Sequence, residues 1–271
     1  MQYRQITPPE ELREYVRYYW TLESPGANQG PQVFAPTADG CPGMVFQQPD
    51  IGTYFQYDKQ LPPIFLYGQT TRYMELFCKG RVSTIGICLY PTALYAVFGI
   101  AAHELTDTCL DLDMIAASQG IHLSGQLQEL PDIQQRIQLI TTFLIAQIKR
   151  NKTIVDPVTQ YALSQIMQSN GTVTLKELHK ETRLSERSFE RKFKQTVGIT
   201  PKLFSRICRF QSTLSQLRNN QYDKLSDIAF ENEYADQSHY IRSFKEFAGI
   251  SPFQYQKQSK EAWTDFPMII K

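Results

Sequence analysis

Leu225 to Pro252 reads LSDIAFENEYADQSHYIRSFKEFAGISP, and this stretch decides the fold of the carboxy-terminal half. Leu225, Ile228 and Ala229 mark the inner face of one short helix. Tyr240, Phe244 and Phe247 mark the inner face of a second, at the i, i+4, i+7 spacing that puts side chains on one side of a helix. Ser238, Arg242 and Lys245 repeat that spacing on the opposite side. Two helices joined by a tight turn, the second with a polar, cationic outer face, form the helix-turn-helix pattern that reads a DNA major groove.

The pattern occurs twice. Leu175 to Pro201 reads LKELHKETRLSERSFERKFKQTVGITP. Leu175 and Leu178 correspond to Leu225 and Ile228 at an offset of 50. Phe189, Arg191, Phe193, Lys194, Gly198, Ile199 and Pro201 correspond to Tyr240, Arg242, Phe244, Lys245, Gly249, Ile250 and Pro252 at an offset of 51. The slip falls inside the turn, where a repeated structural unit tolerates an extra residue. The outward triads match as well: Arg187, Arg191 and Lys194 against Ser238, Arg242 and Lys245.

On the phrases SERSFERKFKQTVGITPKLFSRICRFQ and YADQSHYIRSFKEFAGISPFQY, the segment from about Ile154 to Tyr255 resembles the DNA-binding domain of the AraC/XylS family of bacterial transcription regulators. The preceding residues resemble, through YVRYYWTLE, ADGC, GQTTR and GICLYPTALYAVFGIAAHELTD, the sensor-like amino-terminal domain of one subgroup of that family. The resemblance implies a sequence-specific regulator whose partner is double-stranded DNA. It is compatible with a small-molecule effector of unknown chemistry, a homodimer, and a contact with RNA polymerase. Two positions depart from the family pattern. His179 stands where a small residue is usual, so it requires looser or polar packing. Glu233 stands where glycine is usual, and costs about 1 kcal/mol if its turn needs a positive φ.

Composition agrees. Of 271 residues, 42% are hydrophobic and 20% charged, which describes a globular chain with room for two cores. The net charge of +1 divides unevenly: residues 1–170 carry a balance of −4 and residues 171–271 one of +5. The basic excess sits with the repeated helices, as a phosphate-binding domain requires. The amino terminus, MQYRQITPPEELREY, lacks a signal-peptide core, and no long apolar run is present, so a cytoplasmic location without membrane contact is expected. Cys41, Cys78, Cys88, Cys109 and Cys208 are dispersed with no C-x-x-C pair, and the four histidines are isolated. Reduced thiols, no metal site and no cofactor follow from that spacing.

The expected fold class is α+β: a small antiparallel β barrel or sandwich with helices, then an all-α domain with two helix-turn-helix units. Residues 1–100 read as the β-rich sensor-like domain and 101–150 as a helical linker open to dimerisation. Residues 151–259 read as the DNA-binding domain and 260–271 as a tail without assignable role. Strands are expected at Tyr18–Leu22, Gln32–Ala35, Met44–Gln47, Thr53–Tyr57, Ile64–Tyr67 and Arg81–Leu89, with turn signals that include Ser24-Pro25-Gly26 and Lys79-Gly80. A helix is expected to start at Pro8-Pro9-Glu10-Glu11, and TALYAVFG and HELTDTCLDLDMIAA read as helical. Ile133–Lys149 is an amphipathic helix whose stripe packs within the chain in preference to a second copy. Further helices cover Pro157–Gln168 and Pro201 to about Leu217, the latter joining the two reading units.

Base-reading candidates are Arg187, Ser188, Arg191, Gln237, Ser238, His239 and Arg242, near the amino ends or on the outer faces of the second helices. His239 serves equally well as a packing residue. Lys192, Lys194 and Lys245 are phosphate candidates, and Glu190 reads as a helix partner of Lys194 rather than a cytosine reader. No catalytic residues are assigned. A nucleoid-type binder without sequence preference is the alternative, with a DNA-binding domain fused to an enzyme behind it, since the G-x-S-x-G, H-E-x-x-H and nucleotide-loop motifs are absent from the sequence.

Overall fold

A computed structural model describes residues 2–24, 32–182, 184–259 and 268–270. The strands are β1 (Gln2–Ile6), β2 (Val16–Glu23), β3 (Gln32–Ala35), β4 (Gly43–Gln47), β5 (Gly52–Gln56), β6 (Lys59–Gln60), β7 (Ile64–Tyr67), β8 (Leu76–Gly80), β9 (Ser83–Leu89), β10 (Cys109–Asp111) and β11 (Met268–Ile270). The helices of the first half are α1 (Ala93–Phe98), α2 (Leu112–Ala117), α3 (Leu123–Glu129) and α4 (Ile133–Arg150). The second half holds α5 (Pro157–Gln168), α6 (Leu175–Thr182), α7 (Glu186–Val197), α8 (Pro201–Arg218), α9 (Leu225–Glu231), α10 (Gln237–Ala248) and α11 (Pro252–Ser259). Single 3-10 turns occur at Glu10–Leu12 and Ala102–Leu105.

Two antiparallel sheets face each other, ordered β1-β2-β9-β4-β7-β10 and β11-β3-β8-β5-β6. Alternation along the strands sorts side chains between two cores. In β4, Met44 and Phe46 join the core beneath the helices while Val45 joins the core between the sheets; in β7, Ile64 and Leu66 divide from Phe65 in the same way. The six-stranded sheet is therefore covered on both faces. α4 lays Ile137, Ile140 and Leu144 on its outer face, and each buried aliphatic contributes about 1.5–3 kcal/mol. That stripe is thus used up within the chain.

Several local expectations change. Glu10–Leu12 is a single 3-10 turn rather than the start of a longer helix. HELTDTCLDLDMIAA is not one helix: a 3-10 turn gives way to β10, and only Leu112 onward is helical. Asp107 breaks the helix with φ +57, held there because its carboxylate accepts from the Thr71 amide at 2.7 Å and hydroxyl at 2.5 Å. A tertiary contact overrides helix propensity here. The β-rich part consequently extends to Asp111. Lys79-Gly80, read as a turn, ends β8, whose Cys78 points into the core between the sheets. β5 stops at Gln56 because Tyr57 and Asp58 take φ +48 and +62, the geometry of a two-residue hairpin into β6. Pro25, Gly26 and most of the tail lie outside the described residues, but Met268–Ile270 pairs antiparallel with β3.

The carboxy-terminal half forms its own aromatic core. Phe189 and Phe193 of α7, Phe204 and Phe210 of α8, and Tyr240, Phe244 and Phe247 of α10 are fully buried in it. α8 runs through the centre, starting at Thr200, whose hydroxyl caps the Leu203 amide at 3.2 Å. Asn151 ties the connection between the halves by donating to the carbonyls of Tyr95 and Ala96.

Candidate nucleic-acid interface

Each second helix is fixed at both ends by local chemistry. Ser185 caps α7 through the Ser188 amide and Asp236 caps α10 through the His239 amide at 2.7 Å. Gly198 (φ +104) and Gly249 (φ +76) end the helices in the left-handed conformation that glycine adopts most readily. Packing Phe189 and Phe193, or Tyr240, Phe244 and Phe247, inward forces the opposite faces outward.

Arg187, Arg191 and Lys194 of α7 are exposed, as are Gln237, Ser238, Arg242 and Lys245 of α10. Among the described residues, none of the ion pairs involves Arg187, Arg191, Arg242, Lys194 or Lys245. Three candidates are engaged within the chain. Lys192 is paired with Asp156, the residue before α5, at 3.1 Å. Ser188 is half-buried and its hydroxyl lies 3.0 Å from that of Ser185. His239 is half-buried with its ring edge-on to Tyr234, centroids 5.3 Å apart. Between the two units lies a cleft whose walls include Lys202, Arg206, Arg209 and His239. Sequence reading missed these three cations of α8 because it assigned that helix only a spacing role. Arg206 is paired with Glu246, and Arg209 donates to the carbonyls of Gly171 and Glu233.

The two departures from the family pattern are each accommodated at a local cost. His179 is half-buried and packs edge-on against Phe189 at 5.1 Å, leaving its Nδ1 buried without a partner. Glu233 adopts φ +54, so the turn does require the conformation that disfavours it.

The amino-terminal half grips the carboxy ends of both outward-facing helices. Thr106 donates its hydroxyl to the Gly198 carbonyl at 2.8 Å. The Tyr73 amide donates to the Glu246 carbonyl at 3.0 Å, and the Ala38 amide to that of Phe247 at 3.5 Å. These are end-of-helix carbonyls that the helix itself cannot satisfy. Ala38 is fully buried in the carboxy-terminal core, and its own carbonyl accepts from Gln211 of α8 at 2.5 Å. None of these contacts is readable from spacing.

Behind that junction lies a cavity of about 360 Å³ between the sheets. Trp20, Phe34, Tyr54 and Tyr67 wall it, and Gln211 and Arg218 reach it from α8. Burial pushes the Tyr67 phenol well above its ordinary pKa, so it stays neutral.

Comparison with known proteins places these elements. Residues 178–258 match the family described as a helix-turn-helix domain, and residues 4–111 match a domain of unknown function (DUF6597). An uncharacterized HTH-type transcriptional regulator of Haemophilus influenzae is 32% identical over 92 residues, covering 34% of this chain and 30% of that protein. The chain thus spans less than a third of the length of that curated relative. Among solved structures, ToxT from Vibrio cholerae O395 covers 90% of this chain and 99% of its own at 10% identity, with a TM-score of 0.46. ToxT bound to (E)-4-(8-methylnaphthalen-1-yl)but-3-enoic acid covers 96% and 100% at 11% identity, with a TM-score of 0.48. The C-terminal domain of AraT, a response regulator from Geobacillus stearothermophilus, is 23% identical over 39% of this chain and 88% of its own, with a TM-score of 0.36. Among the described residues, no helix is long and apolar enough to cross a membrane.

Proposed function

We propose that this chain is a transcription regulator of the AraC type, and that it acts by placing α7 and α10 of its carboxy-terminal helix-turn-helix domain in two successive major-groove segments of one DNA site. The observation that carries this reading is the pair of matching outward faces, Arg187-Arg191-Lys194 and Ser238-Arg242-Lys245, on helices held by one central helix. Arginine reads guanine through O6 and N7 together, so Arg191 and Arg242 are assigned to bases. Lys194 and Lys245 are assigned to phosphates. Lys192 would reach a phosphate only by sharing its ammonium with Asp156.

The amino-terminal half is proposed to set the relative placement of the two reading helices, because it hydrogen-bonds to the ends of both. A small molecule in the inter-sheet cavity would act on that placement if it bound one arrangement better than another. The volume lies within the range of small-molecule sites, and a lining that sets aromatic rings beside Arg17, Arg218, Asp39 and Asp107 suits a ligand with an apolar body and a polar group.

Selection of bound duplexes from random DNA tests the first part, using the full chain near physiological salt. The expected product is a motif with two short blocks about one helical turn apart. Salt-sensitive binding that enriches no motif would refute sequence reading and leave a non-specific binder.

A further inference from the structure

We propose that Asp39, Cys41 and Cys88 form a binding site for a thiophilic divalent cation of the zinc class. Asp39 and Cys41 stand two residues apart and Cys88 is distant from both in sequence, yet the three ligand atoms lie within 4.8 Å of one another. Sulfur atoms around a tetrahedral zinc ion are about 3.8 Å apart, so closing the site takes no more than about 1 Å of movement. Two thiolates and a carboxylate select zinc-like ions over magnesium or calcium, which prefer oxygen shells.

The framework that holds these groups is rigid. Cys88 lies in β9, opposite Tyr18 of β2 and Gly43 of β4. Cys41 precedes β4, and the Pro42 carbonyl between them accepts from the Leu89 amide at 2.9 Å. Asp39 accepts the Cys41 amide on Oδ1 at 2.9 Å, which leaves Oδ2 for an ion. Arg17 sits at the register shift of β2, a bulge that re-aims its side chain, and donates to Cys41 Sγ at 2.9 Å. N–H donors to a coordinated sulfur are the usual second layer of such sites. Charge also closes. Three negative ligands are balanced by the two charges of the ion and the one of Arg17; with the ion absent, two thiol protons replace it. Asp39 and Cys88 face the inter-sheet cavity, which supplies an entry path and an open fourth position.

The segment carrying two of the ligands also seats the other half of the protein. Ala38 is buried in the carboxy-terminal core, and the Gly40 carbonyl accepts from Gln69 at 2.9 Å. Pulling Asp39 and Cys41 together moves the chain on which α8 and α10 rest, so ion uptake is expected to change DNA affinity. The site itself rests on the geometry of the two sheets and not on the DNA-binding reading.

The test titrates Co2+ and then Zn2+ into the full-length protein under reducing conditions. A sulfur-to-cobalt charge-transfer band saturating at one ion per chain is expected. Cys41→Ser and Cys88→Ser should each weaken binding at least roughly tenfold, a loss at or above that of a second-layer contact, while Cys78→Ser leaves it unchanged. X-ray absorption on the zinc-loaded wild-type protein is expected to report two sulfur neighbours, and it needs no variant to fold. Absence of the band, a band insensitive to both serine variants, or a zinc shell without sulfur would each overturn the site. Ion binding that leaves the affinity for a selected or random duplex unchanged would overturn its link to the DNA-binding half.

Discussion

At the residue scale, Arg191 and Arg242 carry the reading of the interface. Replacing either with alanine should cost about 1–3 kcal/mol of specific binding and relax one base preference. Affinity measured on single-base variants of a selected site checks this, and uniform weakening on every sequence would reassign that arginine to phosphate. Glu233 offers a stability measurement independent of DNA. Its φ of +54 strains any side chain with a Cβ. Glycine removes that strain but adds freedom to the unfolded chain, so Glu233→Gly should stabilise by about 0.5–1 kcal/mol. Urea midpoints of the two proteins decide it, and a lower midpoint for the glycine variant would refute the strain. The Arg209 contact survives this change because it is made to the backbone carbonyl.

At the element scale, the ends of α7 and α10 matter more than their middles. A Cβ at Gly249 would lie 2.6 Å from the Tyr73 ring, and the residue has φ +76. Gly249→Ala should therefore destabilise by about 1–3 kcal/mol, from backbone strain and forced displacement of Tyr73 together. Adding Tyr73→Ala should recover part of that loss in chemical denaturation. No recovery would place the whole cost in the backbone. Thr106→Val removes the donor to the Gly198 carbonyl and should cost about 1 kcal/mol, read from the same denaturation curves. This one-sided capping is the contact through which the proposed control of placement by the sandwich would act.

At the scale of the whole molecule, Ala38 is the one residue of the amino-terminal half that belongs to the carboxy-terminal core, among the described residues. Ala38→Arg would bury an unpaired cation at that junction. The wild-type chain should unfold in one cooperative transition, and the variant in two, as calorimetry would resolve. A single transition in both would mean that the halves are coupled elsewhere, through Asn151 or the Thr106–Gly198 contact. The cavity lies at the same junction, since Gln211 and Arg218 belong to α8 while its walls belong to the sheets.

The amino-acid sequence by itself determined the helical half. α5 has the bounds read from Pro157 and Gln168, and α8 ends one residue beyond the Leu217 expected. Helix caps, glycine stops and the 3.6-residue period are local signals, and the internal repeat states each of them twice. The sandwich was legible only in part, because strand pairing is non-local: β8 and β10 exist through neighbours distant in the chain, and Asp107 bends where Thr71 binds it. Only the tertiary structure decided which candidates are free. It engaged Lys192 with Asp156, set His239 edge-on to Tyr234, and gathered Asp39, Cys41 and Cys88. The reason is physical: periodicity fixes which face a side chain occupies, whereas its partner depends on how separate elements pack in space.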